Sequence, residues 1–247
     1  MIPLRDTVTS RHPPIATWTI ILLNTLVFMV QLTLPPEGVR QLFYLFGMVP
    51  ARFTHPAWAE QIGIPVDTYW PFLTSMFLHG GLGHILMNMW ALWIFGDNVE
   101  DRMGPIRFTV FYLVTGLVAG IVHCRLNPTS TLPTVGASGA IAGVMGAYLV
   151  LYPRARVITI IPLFFWFGAY QIPAVVYLGF WFLLQLISGA ASLAQGAATG
   201  GVAWWAHLGG FAAGAVLHRL FLSQGRRPRR FQADEAVGDE EWRRYFG

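Results

Sequence analysis

The chain of 247 residues has no lysine, a single cysteine, and no Asp or Glu between Asp101 and Asp234. Each absence removes chemistry. Cys124, being alone, cannot close an intrachain disulfide. Without lysine, the formal charge of +4 rests on arginine, and the arginines gather between and after apolar segments instead of forming a basic stripe. That pattern speaks against a nucleic-acid partner. No H-E-x-x-H occurs, and His79, His84 and His207 come without an accompanying carboxylate, so no metal is expected. Phosphate-binding loops are absent and no cofactor is expected. Position 140 is Ala, so the G-x-S-x-G elbow of soluble hydrolases is not matched. No internal repeat is evident, which weakens a transporter built from duplicated halves.

What the chain holds in quantity is apolar surface. Hydrophobic residues make up 55% and charged residues 11%. Uncharged stretches of roughly 20 residues match the length a helix needs to cross a bilayer. Six spans are expected at about 15–34, 83–101, 106–126, 137–152, 172–193 and 203–222, an all-α polytopic membrane protein. The first run is long and lacks a small-residue cleavage site, so it reads as a retained span. Arg5 and Arg11 precede the first span, Arg102 and Arg107 separate the second from the third, Arg154 and Arg156 follow the fourth, and Arg219 through Arg230 end the sixth. The alternate connections hold only Arg40, Arg52 and Arg125. By the positive-inside rule both termini are expected in the cytoplasm.

Two further segments carry expectations. Residues 157–171 are apolar but short and broken by Pro162, and a crossing there would send the R-R-P-R-R tail outside, so an interfacial or re-entrant segment is expected. Residues 35–82, between the first two spans, read as an amphipathic membrane-associated loop rich in aromatics and prolines. The organisation is then a cytoplasmic segment over 1–14, a membrane domain over 15–222, and a polar cytoplasmic tail over 223–247.

Ser138, in V-G-A-S-G-A-I-A-G, and His207, in W-W-A-H-L-G-G-F-A-A-G, both lie inside apolar segments. Polar groups in hydrocarbon are costly, and each is a functional candidate for that reason. Serine is a weak nucleophile until a positioned base takes its proton, and imidazole suits that task near neutral pH. A Ser-His-Asp triad needs a carboxylate, and none occurs in the fourth to sixth spans, so a Ser-His dyad fits. Ser138 opens its span after Gly136, where the free N-H groups of a helix start can meet a developing oxyanion, the N-H of Ser138 itself included. His84 and Asn88 are four apart, on one helical face, and both can donate to the same charge. Gly139 and Gly143 on the fourth span, with Ala206, Gly210 and Gly214 on the sixth, recur at spacings of four and allow close helix approach.

Four blocks together resemble the rhomboid family of intramembrane serine proteases: H-G-G-L-G-H-I-L-M-N-M-W at 79–90, E-D-R-M-G at 100–104, G-A-S-G at 136–139 and A-H-L-G-G-F-A-A-G at 206–214. The resemblance covers about residues 10–222, nearly all but the tail. It implies Ser138 as nucleophile, His207 as general base, and His84 with Asn88 as side-chain donors of the oxyanion hole. It further implies transmembrane proteins as substrates, cleaved in or near the outer part of their membrane helix, and a bacterial inner membrane as the setting. Two departures stand out. Position 142 is Ala where some members carry an aromatic that stacks on the histidine, and residues 69–71 read Y-W-P where many have W-R. The alternatives are a catalytically silent relative that binds client membrane helices, which the presence of both Ser138 and His207 argues against, and a small transporter. His79 is expected to be structural, and His12, His55, His123 and His218 to contact the interface.

Overall fold

The computed structural model describes residues 1–163, 166–195, 203–223 and 225. The rest of the expected tail, 224 and 226–247, lies outside the described residues. Strand β1 (Ile2–Asp6) precedes helix α1 (Ile15–Leu32). Four short helices follow, α2 (Pro36–Phe46), α3 (Pro50–Thr54), α4 (Pro56–Gln61) and α5 (Pro71–Thr74), within the stretch 35–82. Each starts on proline, whose fixed φ and missing N-H suit a first helical position. Arg52 is buried among them, and its guanidinium donates to the carbonyl oxygens of Leu45 and Pro65 and to the Thr68 hydroxyl, tying separate turns into one unit.

The remaining helices are α6 (Leu82–Met103), α7 (Pro105–Leu126), α8 (Ser138–Leu151), α9 (Ala174–Gln195) and α10 (Trp204–Phe221). Among the described residues α1, α7 and Ala174–Ser192 of α9 are long and apolar enough to cross a membrane. Their apolar side chains face outward: Leu22, Leu26 and Met29 on α1 and Val176, Phe180 and Ile187 on α9 are all exposed. A water-soluble fold buries such faces, so this exposure suits a lipid surround.

The α6–α7 corner is set by Gly104, at φ 80°, followed by Pro105 at the start of α7. A left-handed glycine ends one helix and proline opens the next. Glu100, buried in this corner, accepts hydrogen bonds from the N-H of Ala16 at 2.9 Å and from the N-H and hydroxyl of Thr17, each at 2.8 Å. Its carboxylate thereby satisfies the free donors at the start of α1 and faces the positive end of that helix.

Helix α8 is the centre of the molecule, buried continuously from Gly139 to Tyr148. It meets α10 along the expected small-residue stripe. A Cβ at Gly210 would lie 2.0 Å from the Gly139 carbonyl oxygen, and one at Gly214 only 1.8 Å from that of Gly143. Only glycine permits backbones this close. Phe95, Phe108, Phe111, Tyr112 and Tyr148 complete the packed interior around α6, α7 and α8.

The protein is mostly helical, but among the described residues it departs from the all-helical expectation in one sheet. Strands β2 (Arg156–Leu163) and β3 (Trp166–Pro173) pair as an antiparallel hairpin, and β1 adds to the outer edge of β2, giving an antiparallel sheet of order β1-β2-β3. The segment 157–171, expected to be interfacial or re-entrant and not a crossing, thus contributes two paired strands, a secondary structure that expectation did not specify. The physical reason is the run V-I-T-I-I at 157–161, whose β-branched residues favour an extended, pleated backbone. Val157, Ile158 and Thr159 are fully buried.

Candidate active site

Ser138 is the first residue of α8, so its own N-H has no acceptor within the helix and the helix dipole points its positive end at the site. The preceding Gly136 has φ 131°, a conformation few side chains tolerate, and its N-H donates to the Ser75 carbonyl at 2.9 Å. This bend turns the loop into α8 with the Ser138 hydroxyl facing a cavity of about 970 Å³. His207 comes from α10, and its Nε2 lies 2.7 Å from Ser138 Oγ. The α8–α10 stripe accounts for the short distance, because a serine side chain reaches a neighbouring helix only when the backbones nearly touch.

The other nitrogen of His207 decides what that contact can do. Nδ1 lies 2.7 Å from Oε1 of Gln185, a buried residue of α9. An amide oxygen only accepts, so Nδ1 carries the proton and the neutral ring leaves Nε2 free to accept from the serine hydroxyl. Trp181, one turn before Gln185 on the same face, lies with its ring centroid 5.9 Å from that of His207 and tilted by 38°. Together they hold the ring in the absence of an aromatic at Ala142. Neither Gln185 nor Trp181 was singled out in the sequence. Gln185 carried a usable signal, a polar residue within an apolar helix, whereas Trp181 is one of 10 tryptophans and carried none.

His84 and Asn88 line the same cavity from α6. The N-H of Gly80 donates to His84 Nδ1 at 3.2 Å, which places the ring proton on Nε2 and makes that nitrogen a donor. A Cβ at Gly136 would lie 2.8 Å from His84 Nε2 and 3.6 Å from Asn88 Nδ2, so both donors converge on the turn before Ser138. Asn88 Nδ2 is buried and has no hydrogen-bond partner among the described residues. Buried donors are usually satisfied, and an orphan aimed at a cavity beside the Ser138 hydroxyl is free to meet a ligand's negative charge.

The remaining histidines divide. His79 packs edge-on against His84, with ring centroids 5.2 Å apart, and its backbone exchanges hydrogen bonds with the Gln31 amide at 2.8 and 3.0 Å. Its ring is buried beside that of His84, so it supports the site by packing and by its main chain. His123 and His218 are buried, which corrects their expected place at the interface. His123 Nε2 meets Thr134 Oγ1 at 2.9 Å and ties α7 to the loop before Ser138, while His218 Nδ1 bonds the Ala215 carbonyl at 2.8 Å. His12 pairs with Asp101 at 2.6 Å and His55 with Thr54.

Comparison with known proteins bears on this arrangement. Residues 66–224 match the Rhomboid domain family. The chain is 41% identical over 81 residues to rhomboid protease GluP of Bacillus subtilis (strain 168), covering 33% of this chain and 15% of that protein. It is 41% identical over 80 residues to RHOMBOID-like protein 6, mitochondrial, of Arabidopsis thaliana, covering 32% and 25%. With Rhomboid protein 1, mitochondrial, of Saccharomyces cerevisiae it shares 30% identity over 171 residues, covering 64% and 44%. The matched part thus spans from about a seventh to under half of these three relatives. Because two are mitochondrial, the similarity supports an integral membrane protein and does not support the expected bacterial inner membrane in particular.

Proposed function

Since the chain belongs to the rhomboid family, we propose that it is an intramembrane serine endopeptidase that cuts transmembrane segments of other membrane proteins through a Ser138–His207 dyad. The observation that carries this reading is the 2.7 Å contact between Ser138 Oγ and His207 Nε2, with Nδ1 turned to Gln185. In the reaction, Ser138 Oγ attacks the scissile carbonyl carbon while its proton passes to His207 Nε2. The oxyanion is met by the Ser138 N-H, the His84 Nε2-H and the Asn88 amide. The C–N bond breaks, His207 protonates the leaving amine, and an acyl ester remains on Ser138. Water then gives its proton to His207, attacks the ester and releases the carboxylic product with the serine restored. No carboxylate is required. Gln185 fixes the ring and its tautomer without carrying charge.

The same reading takes α1 and α6–α10 as six crossings of a membrane domain over 15–222. The arginine-bearing segment before α1 and the tail 223–247 lie on the arginine-rich face, from which β1 reaches back toward the cavity, and Ser138 lies toward the opposite face. Substrates reach the site from the bilayer, and a helix-destabilised stretch is favoured because a peptide carbonyl within a helix is already occupied by the ladder. A fluorophosphonate probe tests the reading: the purified protein labels at Ser138, and labelling collapses in Ser138→Ala and His207→Ala. Labelling that survives Asp97→Asn and Asp101→Asn is expected of a dyad. An unlabelled wild-type protein overturns the reading and leaves a silent, client-binding relative.

A further inference from the structure

The two edges of β2 are not equivalent. Against β3 it pairs in unbroken register from Arg156 opposite Pro173 to Leu163 opposite Trp166. Against β1 the register runs Ile2–Ile160, Pro3–Thr159, Arg5–Ile158 and Asp6–Val157, with a slip at Leu4. Pro3 has no N-H to give, and the slip leaves one residue out of the ladder, so β1 is the weakly held strand of the sheet. It lies between α6 and β2. The Trp90 indole N-H donates to the Pro3 carbonyl at 2.6 Å, and at the far end Asp6 Oδ2 accepts from Asn98 Nδ2 at 2.9 Å and from the Tyr148 hydroxyl. Followed toward its beginning, β1 leads into the site: Met1 and Pro3 line the cavity that holds Ser138, His84, Asn88 and His207.

We propose that the β2 edge over Val157–Ile160, now covered by β1, is the docking edge for an apolar, helix-broken segment of a membrane substrate, which replaces β1 as the third strand and runs on to Ser138. The proposal deepens the protease reading and rests on it for the role of Ser138. An unwound membrane segment must satisfy its backbone N-H and C=O groups away from water, and a sheet edge supplies partners for them while leaving the chain extended. Along this edge Val157, Ile158 and Thr159 are β-branched and buried and Ile160 is β-branched and half-buried, suited to an apolar strand. The present occupant, I-P-L-R-D, is itself apolar at its site-facing end and carries a proline, the chemistry expected of the segment that displaces it.

The test uses a synthetic transmembrane peptide with a Gly-Pro break and one cysteine, in vesicles with the full chain carrying its only cysteine at position 160 (I160C with C124A). Disulfide cross-linking is expected to be slow with β1 intact and at least fivefold faster when residues 2–6 are replaced by Ser and Gly. Capture at V176C, on the exposed face of α9, is expected to be the same in both backgrounds. Capture at 160 no faster than at 176 after the replacement overturns the proposal. On the unaltered chain, saturating peptide is expected to speed backbone amide exchange in residues 2–6 at least fivefold, and unchanged exchange also overturns it. Fluorophosphonate labelling of the same preparations reports Ser138 separately. Capture without labelling keeps the docking edge and removes the protease reading, whereas labelling without capture does the reverse.

Discussion

The α8–α10 interface and the β1 side of the site are built to opposite standards. Along α8 and α10 the backbones lie so close that a Cβ at Gly214 would fall 1.8 Å from a carbonyl oxygen, and α8 is buried over 10 consecutive residues from Gly139 to Tyr148. Between α6 and the hairpin, the space is filled by a five-residue strand with a proline and a slipped register. The difference separates two demands on one site. Nucleophile and base must hold a hydrogen-bond distance to within tenths of an ångström, which a tight helix pair supplies. Whatever delivers a peptide to them must open, which a weakly laddered strand allows.

The sharpest way to break this contrast is to damage the tight side. Gly214→Val places methyl groups against the Gly143 carbonyl and is expected to reduce fluorophosphonate labelling at least a hundredfold with a large loss of thermal stability in detergent. Labelling near wild type would mean the helix pair is not what sets the Ser138–His207 distance. Asn88→Ala removes an unpartnered donor and is expected to lower turnover by ~10²–10³-fold with melting nearly unchanged. His84→Ala is expected to fall in the same range or below it. A variant that instead unfolds would assign these residues to packing.

Gln185→Ala tests whether α9 orients the base. Turnover is expected to fall roughly tenfold, as for other groups that orient a catalytic imidazole through its far nitrogen, with KM little changed. Gln185→Asn, one methylene shorter, is expected to be no better, and an unchanged kcat in both would leave Trp181 as the group that holds the ring. Glu100→Gln, at the α6–α7 corner, is expected to cost about 1–3 kcal/mol of stability through its buried hydrogen bonds to Ala16 and Thr17, read as a lower melting temperature with labelling per folded molecule intact.

The smallest effect is a pH dependence on the loose side. Burial raises the Asp6 carboxyl from 3.8 to about 8, against the Tyr148 hydrogen bond and helped by the nearby Asp97 charge; Asn98 is its other polar neighbour. The docked strand therefore keeps a proton that the free strand releases near its ordinary value. Docking is strongest below about pH 4 and is lost progressively as pH rises through about 8. Modification of a cysteine at position 2 (I2C with C124A), divided at each pH by the rate of the same reagent with a free cysteine, is expected to accelerate from pH 6 to 9 and to become flat in Asp6→Asn. An Asp6→Asn variant that keeps the full pH response would assign the effect elsewhere.

Ser138, His207, His84 and Asn88 could be proposed from the sequence because each sits in a short block whose spacing acts within one helix turn or at one helix start, and the structure brings all four to one cavity. The Gly139/Gly143 and Gly210/Gly214 stripes were legible for the same reason, and the helices carrying them begin and end within about two residues of the expected segments. The hairpin was half legible: V-I-T-I-I is a strand signal, but Pro162 and the arginine count drew attention to whether the segment crosses a membrane, not to what it pairs with. His123 and His218 sit near helix ends, where sequence position alone does not distinguish a lipid interface from a buried hydrogen bond.

By itself the sequence determined the apolar character, the periodicity of the helices and the chemistry available to the site, since composition and i, i+4 spacing act over a few residues and need no partner. Only the tertiary structure decided that Gln185 turns its oxygen to His207, 22 residues away, and that Ile2 lies opposite Ile160 beside the cavity of Ser138. Both outcomes depend on which surfaces remain to be covered once α8 and α10 have closed on each other, and no local pattern encodes what is left.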